Sequence, residues 1–456
     1  MTQSATISIL RCAVLFSALL LSGCATFRPR PLPTQPDLTR TLALTVPVSR
    51  LDLPGLKPHP FDPADGLDET TVVALAVLND PNLKAARLKA GVAEAQLLEA
   101  GLLPDPRIDA GVARSTLHTG FNIGLSEEFQ ALLTRDASMA AAQAHEQQVN
   151  LEILWQEWQV AEKARILFIE LRANHERQRV LATTRDLLAQ HYREDEAALE
   201  GHYLAAGVVS ANLKALARAN ANLRQLRLDA NQKRHALNQL LGLEPDVRVH
   251  LAGQSGSHRL SRDQYQAAVA ALPHRRADLL ALQAGYRSQE QRVREAILAQ
   301  FPSLRVGVER ARSAEEGIYT SGIPIEVTLP LFNRNRGQIA IRRATRAVLY
   351  QTYQARLDQA VNEADQIWQA TQIISWQLRA LEARLPPLEK NVAAAEQSFR
   401  EGDLEAGVYL SLKLNLLSQQ AEAIRLRASR EEAQAALQLV LGLPLNTRPS
   451  GTKGNG

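Results

Sequence analysis

The sequence predicts a mostly α-helical fold with a small β-sheet, and the same unit is written twice along the chain. Three observations lead there: long stretches free of glycine and proline, short alternating segments, and motifs that recur about 200 residues apart. Of the 456 residues, 45% are hydrophobic and 22% are charged, so a packed fold is expected. The net charge of +4, from 52 basic and 48 acidic side chains, argues against a dedicated nucleic-acid binder.

The first residues have the pattern of a targeting signal. Residues 12–22 form a short apolar core, and Leu21-Ser22-Gly23-Cys24 follows at its end. This resembles the bacterial lipoprotein signal, which predicts that Cys24 is acylated and becomes the mature N-terminus. A plain secretory signal with an incidental cysteine is the alternative. Ala25 after the cysteine favours sorting to the outer membrane, and the Pro-rich residues 28–67 indicate an extended tether or a surface-hugging segment.

The duplication is visible in short matched motifs. Residues 206–208 and 406–408 both read AGV, and residues 241–243 and 441–443 both read LGL. A period of about 200 residues is too long for a solenoid repeat. An internal pseudo-two-fold symmetry is therefore expected.

Each half follows the same order of elements: a helix, a pair of short strands, a very long helix, a glycine-bearing turn and a return helix. Residues 125–200 contain neither glycine nor proline, and the second long helix is expected from Gly337 to about Glu401 with an interruption at Pro386-Pro387. The first helices are predicted over 68–103 and 262–300, and the return helices over 208–241 and 408–441.

The helices carry heptad-like seams typical of coiled coils. Apolar positions along the first return helix step 3-4-3-4-3 from Leu223 to Leu240, and those of the second step 4-3-4-3-4 from Leu410 to Ala428. Such seams alone are compatible with a lipid-anchored periplasmic coiled coil that has a structural role and no pore.

The strands favour a membrane β-barrel. Ile323, Ile325 and Val327 alternate with Pro324 and Glu326, so one face is apolar and the other polar. Two hairpins give four strands per chain, and open sheet edges are not tolerated in a bilayer. Several chains are therefore expected to share one barrel, which the long helices extend as a tunnel.

Three segments carry a resemblance to a known family: AAGVVSANL at 205–213, EAGVYLSLK at 405–413 and TLPLFNRNRGQI at 328–339. Together with the repeat and the lipoprotein signal, they resemble the TolC-type outer-membrane factors. The resemblance implies a homotrimer in the outer membrane, with a passive duct that works with a periplasmic adaptor protein and an inner-membrane pump in tripartite efflux. A type I secretion duct is the alternative within this family. Residues 124–158 look similar to its heavy-metal and cation efflux branch.

The same resemblance assigns the candidate site residues. Gly207 and Gly407 match the hairpin-tip glycines that contact the adaptor, and a glycine there is expected because it tolerates positive φ and close approach. A turn glycine with no partner is the alternative, although the recurrence in both halves favours docking. Lys413 occupies a position where the family often has an aspartate at the periplasmic constriction. A ring of lysines would favour anions, although a solvated helix face explains Lys413 as well.

No catalytic residue, metal site or cofactor is predicted beyond the lipid on Cys24. Both cysteines, Cys12 and Cys24, lie in the first 24 residues, the histidines are scattered, and glycine-rich phosphate loops are absent. The chain is therefore not expected to be an enzyme.

The predicted organisation is as follows: signal peptide 1–23, lipid-anchored tether 24–67, first repeat 68–243 with hairpin 106–129, linker 244–261, second repeat 262–443 with hairpin 302–332, and flexible tail 444–456.

Overall fold

The computed structural model describes residues 27–40, 66–116, 119–253 and 259–444. The predicted signal peptide, Cys24 and all but the first residue of the predicted tail lie outside the described residues. Two compact units are distinguished, Met1–Leu38 and Thr39–Gly456. In the first unit the described residues contain neither helix nor strand, and every element below belongs to the second.

The first half of the second unit contains four helices and two strands. In chain order they are α1 (Glu69–Asn79), α2 (Pro81–Gly101), β1 (Arg107–Arg114), β2 (Thr119–Glu128), α3 (Gln130–Glu200) and α4 (Ala206–Leu241).

The second half contains five helices and three short strands. They are α5 (Arg262–Ala270), α6 (Leu272–Arg275), α7 (Ala277–Leu298), β3 (Ser303–Arg312), β4 (Tyr319–Gly322), β5 (Ile325–Thr328), α8 (Arg336–Glu401) and α9 (Ala406–Val440). A two-fold axis relating the halves stays a prediction.

The first helix of each half is broken, so the prediction of single helices over 68–103 and 262–300 is wrong. Asp80 separates α1 from α2 because proline at position 81 keeps the preceding residue out of the helical region, and Asp80 has ψ 121°. Its carboxylate then caps α2 by accepting the Leu83 amide at 2.8 Å. Arg276, also extended at ψ 118°, ends α6 and precedes α7.

The long helix α8 runs through Pro386 and Pro387, so the expected interruption is also wrong. Each proline removes one intrahelical hydrogen bond, but both lie on the exposed side of the helix. On the other side Leu378 and Leu381 are buried against Ala423 and Leu426 of α9. This packing compensates for the lost hydrogen bonds, and the helix continues to Glu401.

The sheet is antiparallel throughout, in the order β1-β2-β3, with both β4 and β5 paired to β3. Glu309 pairs with Gly322 and Val306 pairs with Ile325, so β4 and β5 share one register along β3. Pro324 lacks an amide and interrupts the ladder between them, although its carbonyl still accepts from Gly307 at 3.0 Å. The predicted fourth strand is thus present, in two pieces.

The helices form a layer that continues from the sheet. Near the sheet the packing order is α2-α3-α7-α8, and towards the turns that precede α4 and α9 it is α4-α3-α9-α8. Two main apolar cores hold the layer. One is centred on Phe168 and Ile169 of α3 with Leu75 of α1, and the other includes Leu279 and the stacked rings of Tyr265 and Trp368, 4.5 Å apart.

Short backbone bridges tie two segments to these cores. Thr39 pairs in parallel with Leu243, and Leu67 pairs in parallel with Leu251 of the linker. The Arg40 guanidinium also contacts the Glu244 carboxylate at 2.7 Å. Both ends of residues 39–67 therefore lie against the helical layer.

Candidate functional site

The sheet has one exposed apolar face. Cross-strand pairs place Val112 opposite Phe121 and Leu125 opposite Val308, so these side chains share a face. Val112 is 79% exposed and Ile323 is 69% exposed, although both are large and apolar. The same face also carries Ile108, Ala110, Ile123, Leu304, Val306, Ile325 and Val327. An exposed apolar surface of this extent requires a non-aqueous neighbour.

The opposite face of the sheet is polar. The Arg305 guanidinium lies 3.3 Å from a carboxylate oxygen of both Glu128 and Glu326. Next to it a concavity of about 380 Å³ is lined largely by polar side chains, among them Asp109 and Asn122. This face therefore suits water, as the alternating sequence predicted.

Both edges of the sheet are open. In the part of the chain that the structure describes, β1 pairs only with β2 on one edge, and β4 and β5 pair only with β3 on the other. Edge strands present unpaired amides and carbonyls that need partners.

The helical layer has open edges on the same two sides. Helices α2 and α4 form one edge and α8 forms the other. Each edge exposes large apolar side chains, such as Leu88 of α2, 76% exposed, and Trp376 of α8, 65% exposed. Ile373 and Val348 extend the exposed apolar surface along α8. The helical layer, like the sheet, therefore has two edges that the described chain leaves uncovered.

No helix within the described ranges combines the length and the apolar character needed to cross a bilayer.

The turns at the far ends of the long helices have the same backbone design. We call residues 201–205 the first tip and residues 402–405 the second tip. At the first, the Tyr203 amide donates to the Ala198 carbonyl at 2.8 Å; at the second, Asp403 donates to Ser398 at 2.9 Å. Both are Schellman motifs, which place one left-handed residue after the helix.

The left-handed residues are His202, with φ 60°, and Gly402, with φ 87°. Gly207 and Gly407 are not among them, so the expectation that positive φ explains these two glycines is wrong. Each is the second residue of a helix. Sequence reasoning missed His202 because histidine is an unusual left-handed residue; the signal was its alignment with Gly402 at the 200-residue offset.

Open space is what the two predicted tip glycines share. A Cβ built at Gly207 meets no atom within 4 Å, and one at Gly407 meets only Glu405 Oε1 at 3.9 Å. Tyr203 at the first tip and Val208 in the first turn of α4 are exposed apolar side chains. The tips therefore offer accessible backbone next to apolar surface. Their role as a docking site stays a prediction.

Lys413 lies on α9, about two helical turns beyond the second tip, and its side chain reaches towards α8. Its ammonium is 3.4 Å from a Glu396 carboxylate oxygen, and Arg400 contacts the other oxygen at 2.5 Å. Lys413 lowers the pKa of Glu396, and hydrogen bonds from Lys413 and Arg400 add to the effect. Together, Lys413, Arg400 and Glu396 carry one net positive charge. Leu213 occupies the corresponding place in the first half.

Buried charges lie where the two halves meet, and the sequence did not reveal them. Arg276 is 1% exposed, contacts Asp278 at 2.8 Å and Glu363 at 3.3 Å, and lies 4.9 Å from the centre of the Trp155 ring. In α3, burial raises the pKa of Glu162 to about 7 against the opposing effect of Arg165. In α9, burial and then Glu170 raise the pKa of Glu432 to about 6.

Several solved structures are similar to this chain. No protein-family model and no curated protein matches the sequence. The outer-membrane protein VceC of Vibrio cholerae is 18% identical, with a TM-score of 0.67 over 82% of this chain and 96% of its own. The outer-membrane channel CmeC of Campylobacter jejuni is 16% identical, with a TM-score of 0.68 over 92% and 95%.

CusC, described for its transmembrane channel formation, is 16% identical with a TM-score of 0.66 over 90% of this chain and 99% of its own. At these identities the likeness concerns the fold. The prediction of a mostly helical fold with a small sheet is confirmed, and the fold is the one found in outer-membrane channels.

Proposed function

We propose that this chain is the outer-membrane duct of a tripartite efflux system, a passive channel built by three copies. The observation that carries the proposal is the sheet, which is apolar on one face, charged on the other and open at both edges. An outer-membrane barrel wall has this construction, with lipid outside and water inside.

The open edges support assembly from several copies. Unpaired edges are excluded from hydrocarbon, and four strand positions are too few to close a barrel alone. Two copies would supply eight, which enclose an interior filled by side chains. Three copies are the smallest assembly with room for a duct. The matching open edges of the helical layer, Leu88 on one side and Trp376 on the other, would extend the barrel as a periplasmic tunnel.

The tips are the proposed contact with a periplasmic adaptor, which in turn reaches an inner-membrane pump. Gly207 and Gly407 leave open space for a partner backbone. Lys413, behind the second tip, is the residue proposed to line the periplasmic constriction. The chain itself is proposed to have no catalytic role and no cofactor. Type I secretion, the alternative within the family, would use the same geometry.

Single-channel recording in a planar bilayer tests the proposal. The wild-type protein is expected to give discrete conductance steps. Asn122→Trp, on the polar face of β2, should lower the conductance, whereas Ile123→Trp on the apolar face is the matched control and should not. A structural coiled coil without a pore would give no steps, and equal conductance of the two variants would contradict the assignment of the faces.

Lipid attachment at Cys24 is a separate part of the proposal, supported by the sequence of residues 21–24. The lipid would hold the N-terminal segment at the outer membrane. Radiolabelled palmitate should label wild type but not Cys24→Ala. The barrel should insert in both, because the sheet supplies its own contact with the bilayer.

A further inference from the structure

The apolar face of the sheet carries arginines at one end. Arg310 and Arg312 lie on β3 and share that face with Phe121 and Tyr319, since Arg312 pairs with both aromatic residues. This end of the sheet is next to the strand turns and away from the helices. The rest of β3 on this face is Leu304, Val306 and Val308. The two charges thus sit at the border of an apolar band.

Both guanidiniums contact the same ring. The Cζ atoms of Arg310 and Arg312 lie 5.5 Å and 5.4 Å from the centre of the Tyr319 ring. Phe121 lies edge-on to Tyr319, with ring centres 6.1 Å apart. The Tyr319 ring thus brings the two guanidiniums close together on the apolar face of the sheet.

The two arginines differ from the arginine on the opposite face. Arg305 is paired with two carboxylates. Among the described residues, neither Arg310 nor Arg312 forms an ion pair with a carboxylate; the Arg312 Nε donates to the Gly317 carbonyl at 3.3 Å. The turn contains Glu315 and Glu316, whose backbone amides bond Ser313. Two clustered positive charges therefore lack an acidic partner within this part of the chain.

The level of these arginines in a membrane follows from their neighbours. Placing an arginine in the hydrocarbon of the bilayer costs free energy, whereas placing it at the border of the hydrocarbon costs almost none. Aromatic side chains concentrate at that border. If the apolar face contacts lipid, as the proposed function requires, Arg310 and Arg312 lie at the headgroups. The helices join the sheet at the other end of its strands, which would face the periplasm. The headgroups near Arg310 and Arg312 would therefore belong to the outer leaflet.

We propose that Arg310 and Arg312 bind the phosphate groups of a phosphorylated glycolipid in the outer leaflet of the outer membrane. Guanidinium groups bind phosphate through paired, charge-assisted hydrogen bonds. Two guanidiniums around one aromatic ring form a binding site for a phosphate group. The apolar surface beside them would be covered by the acyl chains of the same lipid. This inference rests on the proposed function.

The test is native mass spectrometry of the full-length protein in detergent, titrated with bisphosphorylated lipid A. The variant Arg310→Gln/Arg312→Gln should bind it about tenfold or more weakly, because each lost guanidinium removes hydrogen bonds to a charged group. Arg218→Gln/Arg224→Gln, which removes two exposed arginines from α4, is the matched control and should bind as wild type does. Arg310→Lys/Arg312→Lys keeps the charge and should retain most of the binding.

A second arm uses only wild-type protein, so it does not depend on the variants folding. Removal of one phosphate from the lipid should weaken binding, and phosphatidylethanolamine should bind more weakly still. Equal affinity for the three lipids, or unchanged lipid A binding by the glutamine variant, would overturn the proposal. Conductance of the same samples separates the two claims: a conducting variant with lost binding supports both, and a wild type that never conducts contradicts both.

Discussion

Lys413 on α9 and Glu396 on α8 join the two helices just behind the second tip, with 3.4 Å between Nζ and Oε2. Because Lys413 lowers the pKa of Glu396, the contact stabilises the fold above the ordinary pKa of glutamate. That stabilisation is lost as the pH falls through the lowered value. The second tip is therefore held together at neutral pH and loosened in acid.

The charge at this position should set ion selectivity. Lys413→Asp would replace a positive charge by a negative one in each chain at the proposed constriction, so permeability should shift towards cations. Reversal potentials in asymmetric KCl measure the shift. Lys214→Asp, an exposed position at the equivalent level of α4, makes the same change away from the proposed constriction. If both variants shift the reversal potential equally, Lys413 does not line the constriction.

Glu162 should make stability depend on pH. Burial raises its pKa from an ordinary 4.5 to about 7, so the folded state holds a proton that the unfolded state releases. Its cost to stability is absent below about pH 4.5 and grows as the pH rises to about 7. Glu162→Gln should therefore raise the Tm more at pH 8 than at pH 5. Glu94→Gln, at an exposed carboxylate of α2, should show no such difference.

The left-handed histidine at the first tip should be strained. His202 has φ 60° where the second tip has Gly402, and a side chain costs about 1 kcal/mol in this region. His202→Gly should slow hydrogen exchange of the Tyr203 amide about fivefold, since that amide closes the turn. Gly402→Ala should speed exchange of the Asp403 amide. Unchanged rates in both variants would show that the turns carry no such strain.

Bulk at the second tip should block docking without blocking assembly. Gly407 lies in a helix and has open space where a Cβ would be, so the fold should accept tryptophan at this position. The large side chain would keep a partner helix from packing closely. Crosslinking to the adaptor in cells should be lost. Gly337→Trp is the matched control, since Gly337 is also the second residue of a helix with no atom within 4 Å of its Cβ. Loss of crosslinking in both would point to an effect away from the tip.

The sequence anticipated what depends on local periodicity. The glycine- and proline-free run before Gly201 predicted α3, and the alternation around Ile323 predicted the two faces of the sheet. The expected break of α8 at Pro386 does not occur, because packing of Leu378 and Leu381 against α9 compensates for the lost hydrogen bonds. A break at Pro81 was not expected, although this proline ends the first helix at Asp80.

Tertiary contacts were beyond its reach. The ion pairs of Arg276 with Asp278 and Glu363 join residues up to 87 positions apart, and no spacing rule brings them together. The Lys413–Glu396 contact likewise depends on how α8 and α9 pack. The motifs could therefore locate the candidate site, but its ion pairs could not be predicted from the sequence.

Native mass spectrometry of the purified protein in detergent, without added lipid, tests the central claim most directly. The open edges of β1 and β5 and the matching edges of the helical layer require other copies to complete them. The account predicts a single species with about three times the mass of one chain. A stable monomer that keeps its β-sheet signal in circular dichroism would contradict it.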